Sequence, residues 1–225
     1  MKRVSVLALA ALLAVASCKS NNSDSAETSA AETVAVAEGQ PYAADLTTSK
    51  VDWKAFHKGG FAPRWGTLQL SSGELNVVDD EVTAGSFVID FNTLTVDPAS
   101  VTEADKKAED LQGHLKSADF FDVAQFPQGT FEITSIADFD PAKDKSVLEG
   151  ANKVVSGNFT LKGNTINVTF PARIAVGDGT VRVEAKFTVD RTAWGLKFGV
   201  TEADPAEWGI SKDFEVGVDL TAVAK

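Results

Sequence analysis

The chain has 225 residues, 21 of them Lys or Arg and 32 Asp or Glu, for a formal net charge of −11. That balance excludes the basic face a nucleic-acid binder needs and gives the folded body no attraction to anionic lipid. One cysteine, Cys18, and two histidines, His57 and His114, exclude an intrachain disulfide, a thiol nucleophile in the folded part and the familiar Cys/His zinc sites.

Residues 1–17 read as a signal peptide. Lys2 and Arg3 form the positive start, and Val4 to Ala16 is apolar apart from Ser5, too short for a spanning helix of about 20 residues. Its removal leaves 19 basic residues against 32 acidic ones, −13. The run ends Val15-Ala16-Ser17-Cys18, which resembles a bacterial lipobox. Cys18 is therefore expected to be acylated, and several acyl chains give stable anchoring where one is marginal. Lys19 rather than Asp after the cysteine points to the outer membrane of a bacterial envelope, with the periplasmic or surface side left open. Residues 18–40, rich in Ser, Ala, Thr and Glu without an aromatic, are expected to be a flexible tether. The folded domain is expected over 41–225.

That domain reads as all-β. Lys50–Ala55 is expected as a strand, followed by Thr67–Leu70 and Glu74–Val77 with a turn at Ser72-Gly73. Asp79-Asp80-Glu81 is an acidic turn without EF-hand spacing. Phe87, Ile89 and Phe91 begin a run of alternating inward residues. Gly85-Ser86 lacks the second glycine of a nucleophile elbow. Thr102-Glu103-Ala104-Asp105 reads as a capping box opening a helical insert over about 102–122. Leu115, Phe120, Phe121 and Phe126 in and after it are expected to cover one end of the sheet structure, with Pro127 as the stop.

Strands resume at Thr130–Ile136, Phe159–Leu161, Ile166–Phe170 and Ile174–Val176. The clearest pattern is Val181, Val183, Ala185, Phe187 and Val189 against Arg182, Glu184, Lys186, Thr188 and Asp190, an apolar face with period 2. Phe214, Val216, Val218 and Leu220 repeat it. Lys162-Gly163 and Asp178-Gly179 supply the positive φ that tight hairpins need. About eight strands with mostly short connections predict an antiparallel β-barrel. Its inward residues are Phe87, Ile89, Phe131, Ile133, Phe159, Leu161, Ile166, Val168, Phe170, Val183, Phe187, Val189, Phe214, Val216 and Val218. These residues fit a solid core and a ligand-holding tube equally well.

Three segments carry a family resemblance. Gly113-His114-Leu115-Lys116-Ser117-Ala118-Asp119-Phe120-Phe121-Asp122-Val123, with Phe126-Pro127 and Thr130-Phe131 after it, resembles one signature of the YceI-like family. Val155 to Gly163 resembles its "G-LT-KG" hairpin, and Asp190-Arg191-Thr192-Ala193-Trp194-Gly195 its "DR-x-x-aromatic-G" segment. The order holds from about 48 to 223. Pro63-Arg64-Trp65-Gly66 departs from it, with Trp65 where many members have His.

The resemblance implies a lipocalin-like barrel holding an isoprenoid or similar chain; the missing nucleophile elbow, thiol and metal ligands favour a binding protein over an enzyme, and no resident cofactor is expected. Each buried methylene contributes about 0.8 kcal/mol, so a five-carbon unit gives on the order of 4 kcal/mol gross, and selectivity rests on the tail. Arg191 is the sharpest head-group candidate, with a structural ion pair to Asp190 or a neighbouring strand as the favoured reading. His114 is either a head-group contact or a helix-to-barrel link, and His57 a rim residue. Trp53, Trp65, Trp194 and Trp208 are packing residues by default, with Trp65 and Trp194 the aromatics expected at the mouth. Other readings are an enzyme acting on a prenyl lipid, and a solid barrel serving as a stress or interaction module.

Overall fold

The structure is a computed structural model and describes residues 24–200 and 209–225. The signal peptide, Cys18 and Trp208 lie outside the described residues. The strands are β1 (Asp24–Ser25), β2 (Glu27–Ala30), β3 (Gln40–Ala44), β4 (Lys50–Ala55), β5 (Arg64–Val78), β6 (Glu81–Asp90), β7 (Gln128–Asp138), β8 (Lys153–Leu161), β9 (Asn164–Gly177), β10 (Thr180–Asp190) and β11 (Asp213–Ala224). The helix α1 spans Ala108–Lys116.

β5 to β11 run as an antiparallel meander, each paired with the next. One position remains between β11 and β5, and two strands share it. β4 pairs with Glu215–Asp219 and with Arg64–Leu68, while β3 pairs with Ala222–Ala224 and with Glu74–Val77. The result is a closed eight-strand antiparallel barrel, and closure removes the exposed edges an open sheet would carry. The hairpins turn where two successive residues take positive φ: Asp79-Asp80, Lys162-Gly163 and Asp178-Gly179. This backbone matches the right-handed twist of the flanking strands.

Two local expectations are corrected. Ser72-Gly73 is no turn: β5 runs straight through it, with a bulge between Leu70 and Ser72. Gly73 is there for space, since a Cβ on it would stand 2.6 Å from the Phe87 ring. Nor does Thr102–Asp105 cap the helix. The helix starts six residues after Thr102, at Ala108, with no side-chain bond at Lys107. Glu103 is drawn away by Arg64, whose Nη2 donates to both carboxylate oxygens at 2.5 and 2.7 Å. Side-chain caps sit elsewhere: Asp90, Asp97 and Asp190 each cap a separate 3-10 turn and none of them caps α1.

The described part of the expected tether, residues 24–40, is not free. β9 and β10 pair from Gly177↔Thr180 to Ala172↔Ala185 and then part. Ala172 and Ile174 direct their main-chain groups to Asn152 on the β8 side. Alternation turns residue 171 toward β10, and Pro171 has no N–H to offer there. Into the gap runs the N-terminal segment. β1 pairs in parallel with Phe187 and Thr188, and β2 pairs antiparallel with Ile166 to Thr169. The chain then crosses β8 and β7 on the outside. The Asn158 side chain exchanges two hydrogen bonds with the Glu32 main chain (3.0 and 2.7 Å), and Ala35 N–H donates to Ile133 O at 3.0 Å.

Candidate functional site: an apolar hollow inside the barrel

The inward faces of the strands do not meet. They enclose a cavity of about 590 Å³, well inside the range of ligand pockets. Fourteen of the fifteen residues expected to face inward line it: Phe87 and Ile89 of β6, Phe131 and Ile133 of β7, Phe159 and Leu161 of β8, Val168 and Phe170 of β9, Val183, Phe187 and Val189 of β10, and Phe214, Val216 and Val218 of β11. Ile166 does not; it lies on the same β9 face but packs at the edge of the core. Phe87, Phe131, Phe159, Val183, Phe214, Val216 and Val218 face inward yet stay only half-buried, because what they face is space. This removes the solid-core reading.

One end is shut. Leu75, Val181, Ala172, Leu220 and Ala222 are buried together there, near the β5–β6 and β9–β10 turns. At the other end Leu111, Leu115, Phe120 and Phe121 reach the lining from α1 and the turn after it, as their apolar character predicts. Phe126 does not reach it.

Charged residues of the helix segment, Asp105, Lys106, Lys107 and Asp110, rim the hollow at this end, whereas Arg191 is committed to the protein itself. Arg191 is buried, 4% exposed. Its Nε donates to Ser211 O at 3.0 Å, Nη1 to Leu196 O at 2.7 Å and Nη2 to Phe198 O at 2.8 Å. Its guanidinium also lies 5.7 Å from the Phe120 ring centroid. Burial lowers its pKa to about 10. The expectation of a head-group fork is corrected: the donors fasten the loop before β11. Asp190 makes no contact ion pair with Arg191, although its charge raises the Arg191 pKa against the burial. The Asp190 carboxylate accepts from the N–H and hydroxyl of Thr192, at 3.0 and 2.6 Å, and pairs with Lys212 at 3.2 Å. Burial would raise the Asp190 pKa, but these partners outweigh it and the net shift is downward.

His114 lines the hollow edge-on to Phe120 and Phe198, at 5.2 and 4.7 Å between centroids, with Nδ1 3.8 Å from Asp119. It joins an aromatic cluster at the mouth. Trp65 and Trp194, expected at the mouth, do not line the cavity. Trp65 donates to Asp97 at 3.2 Å outside the barrel wall. Trp194 is fully buried, packs 5.4 Å from Phe159 and donates to its carbonyl at 2.9 Å. Among the described residues, the lining tryptophan is Trp53, its Nε1 bonded to Thr95 O at 3.1 Å. The alternation Val51, Trp53, Ala55 carried that signal. Also missed were Leu68, Leu70 and Leu75, because the false turn at Ser72 broke their strand in two. His57 lines the cavity as well, with a buried Nδ1 that has no hydrogen-bond partner.

A closed antiparallel barrel, apolar inside and covered at one end by a short helix, defines a lipocalin-like protein. Residues 42–222 match the YceI-like domain model, and the chain belongs to that family. It is 31% identical over 188 residues to Protein YceI of Escherichia coli O6:H1, covering 81% of each chain. The fold is similar to that of Burkholderia cenocepacia BcnA (TM-score 0.57, 20% identity, 80% of this chain and 99% of that one). It is also similar to a polyisoprenoid binding domain from Saccharophagus degradans implicated in plant cell wall breakdown (TM-score 0.53, 16% identity, 82% and 98%).

Proposed function

We propose that this protein binds a hydrophobic isoprenoid-type lipid in the barrel and carries or sequesters it in the bacterial envelope, anchored by an acylated Cys18. The carrying observation is the apolar hollow of about 590 Å³ behind a mouth whose buried guanidinium is already engaged. A pocket of this size takes a drug-sized ligand, such as a chain of about four isoprene units. Burying such a chain gives more than the roughly 8 kcal/mol of a micromolar complex, even after ordering costs, so no charged head group is required. The polyisoprenoid binding named for the Saccharophagus degradans domain supports the same ligand class. The protein acts as a binder rather than an enzyme: Arg191 and His114, the groups nearest to chemistry, are occupied in packing and in fastening a loop. Acylation of Cys18 and a place at the outer membrane are read from the leader sequence, and the tail after Cys18 leads to the domain wall.

The test is native purification from envelopes, organic extraction and mass spectrometry. Recovery of a long-chain hydrocarbon lipid near one per protein supports the reading. A protein that arrives without lipid and takes up none of an added isoprenoid alcohol refutes it.

A further inference from the structure

The barrel wall is incomplete without the N-terminal segment. The β9–β10 ladder ends at Ala172↔Ala185, and Pro171 denies it the next N–H. From there to the α1 end, among the described residues, the main-chain pairing of the two strands comes from residues 24–30, and the Asn164 amide reaches Trp194 O at 3.3 Å beyond the end of β10. Behind that bridge lies the ligand space. Val168 and Phe170 on one side and Phe187 and Val189 on the other all line the cavity. Phe170 and Phe187 stack across the gap on the inside, with centroids 4.1 Å apart and planes 12° apart.

We propose that residues 24–30 are a removable stave, and that the seam they close between β9 and β10 is a side door through which a linear hydrocarbon chain passes into the barrel. The fastening suits a part that comes off. Every side chain of β2 is exposed, and within 24–30 only Ala26 packs against the core. Among the described residues, the stave is held by main-chain pairing, with Ala26 N–H donating to Thr188 O at 2.9 Å, and by a pin at Asp24. In that pin the Asp24 carboxylate accepts from Val147 N–H at 2.8 Å and from the Ser146 hydroxyl at 3.0 Å. Segments held by hydrogen bonds with few buried apolar contacts open at the low end of the stability range of a fold. Once the stave lifts, the stacked ring pair with Val168 and Val189 beside it stands between the seam and the hollow, and rings slide apart for a hydrocarbon that replaces their contact. Asp24 follows Cys18 by six residues in the sequence, so the chain nearest the proposed anchor is the chain that closes the door.

This inference rests on the reading of the barrel as a lipid binder, and the test separates the two. Glu27 and Thr169 are register partners, at a separation that antiparallel pairing makes suitable for a disulfide. The double variant Glu27→Cys, Thr169→Cys is made in the full chain with Cys18→Ser, which removes the only other thiol. Retinol, an isoprenoid alcohol that fluoresces in apolar surroundings, serves as the probe. Expected is an uptake rate at least about tenfold lower in the oxidised protein, restored by reductant, with equal binding at equilibrium. Asp24→Ala, which removes the pin without a new bond, is expected to speed uptake about threefold. Equal rates in oxidised and reduced protein, together with an unchanged rate for Asp24→Ala, overturn the door and leave the lipid-binding reading intact. Retinol that binds neither form overturns both.

Discussion

The ring of Phe131 occupies the place where a side chain on Gly157 would stand: a Cβ on Gly157 would lie 2.2 Å from the ring's Cζ. The two residues belong to neighbouring strands, and Phe131 is a cavity-lining aromatic. The glycine therefore sets the width of the hollow. Gly157→Val is expected to push the ring off its rotamer and destabilise the barrel by roughly 2–3 kcal/mol. Urea denaturation checks this, and an unchanged midpoint would contradict the packing.

Val218 points into the hollow from β11 and stays half-buried. Val218→Trp is expected to fill free space, leaving thermal stability equal or raised while lipid occupancy falls severalfold. In a solid core the same change costs about 1–3 kcal/mol. Calorimetry on the variant and mass spectrometry of its extract read the two effects separately.

Arg191 joins three carbonyls of the β10–β11 connection. Arg191→Met leaves those acceptors unpaired and is expected to cost about 2–4 kcal/mol. Head-group selectivity, measured by competition between an isoprenoid alcohol and its phosphate, should not change. A selective loss of phosphate binding would restore the head-group role.

Glu103 has its carboxyl pKa lowered from 4.5 to about 2, first by its own main-chain N–H and then by Arg64, against a burial effect that raises it. A lowered folded-state pKa gives stability that is present above the unfolded value and lost as pH falls through the folded one. The Arg64–Glu103 clasp therefore holds at neutral pH and weakens between about pH 4.5 and pH 2. Glu103→Gln should flatten the fall in stability across that interval, as read from thermal melts at stepped pH. A fall as steep as in the parent protein would assign it to other carboxylates.

Much of the barrel was legible because its strands alternate cleanly. β10 shows its apolar face at five successive odd positions, and the hairpin residues at 162–163 and 178–179 fix its neighbours. The hollow itself was not legible, since the same alternation serves a filled core. The stave escaped for a different reason. Residues 24–30 have no apolar pattern and pair because Pro171 opens an edge elsewhere in the chain, a long-range event that local composition does not encode. Trp65 and Trp53 were exchanged for want of register: Trp53 shares the inward parity of Val51, whereas Trp65 lies opposite the outward Lys54. Arg191 was recognised as special, but its carbonyl partners belong to a loop whose path the sequence does not reveal.

The most direct measurement is calorimetric titration of the delipidated protein with geranylgeraniol, a neutral chain of four isoprene units. Expected is saturable one-to-one binding with a negative heat-capacity change, lost in Val218→Trp. Heat that does not saturate, or binding that survives the filled hollow, would contradict it.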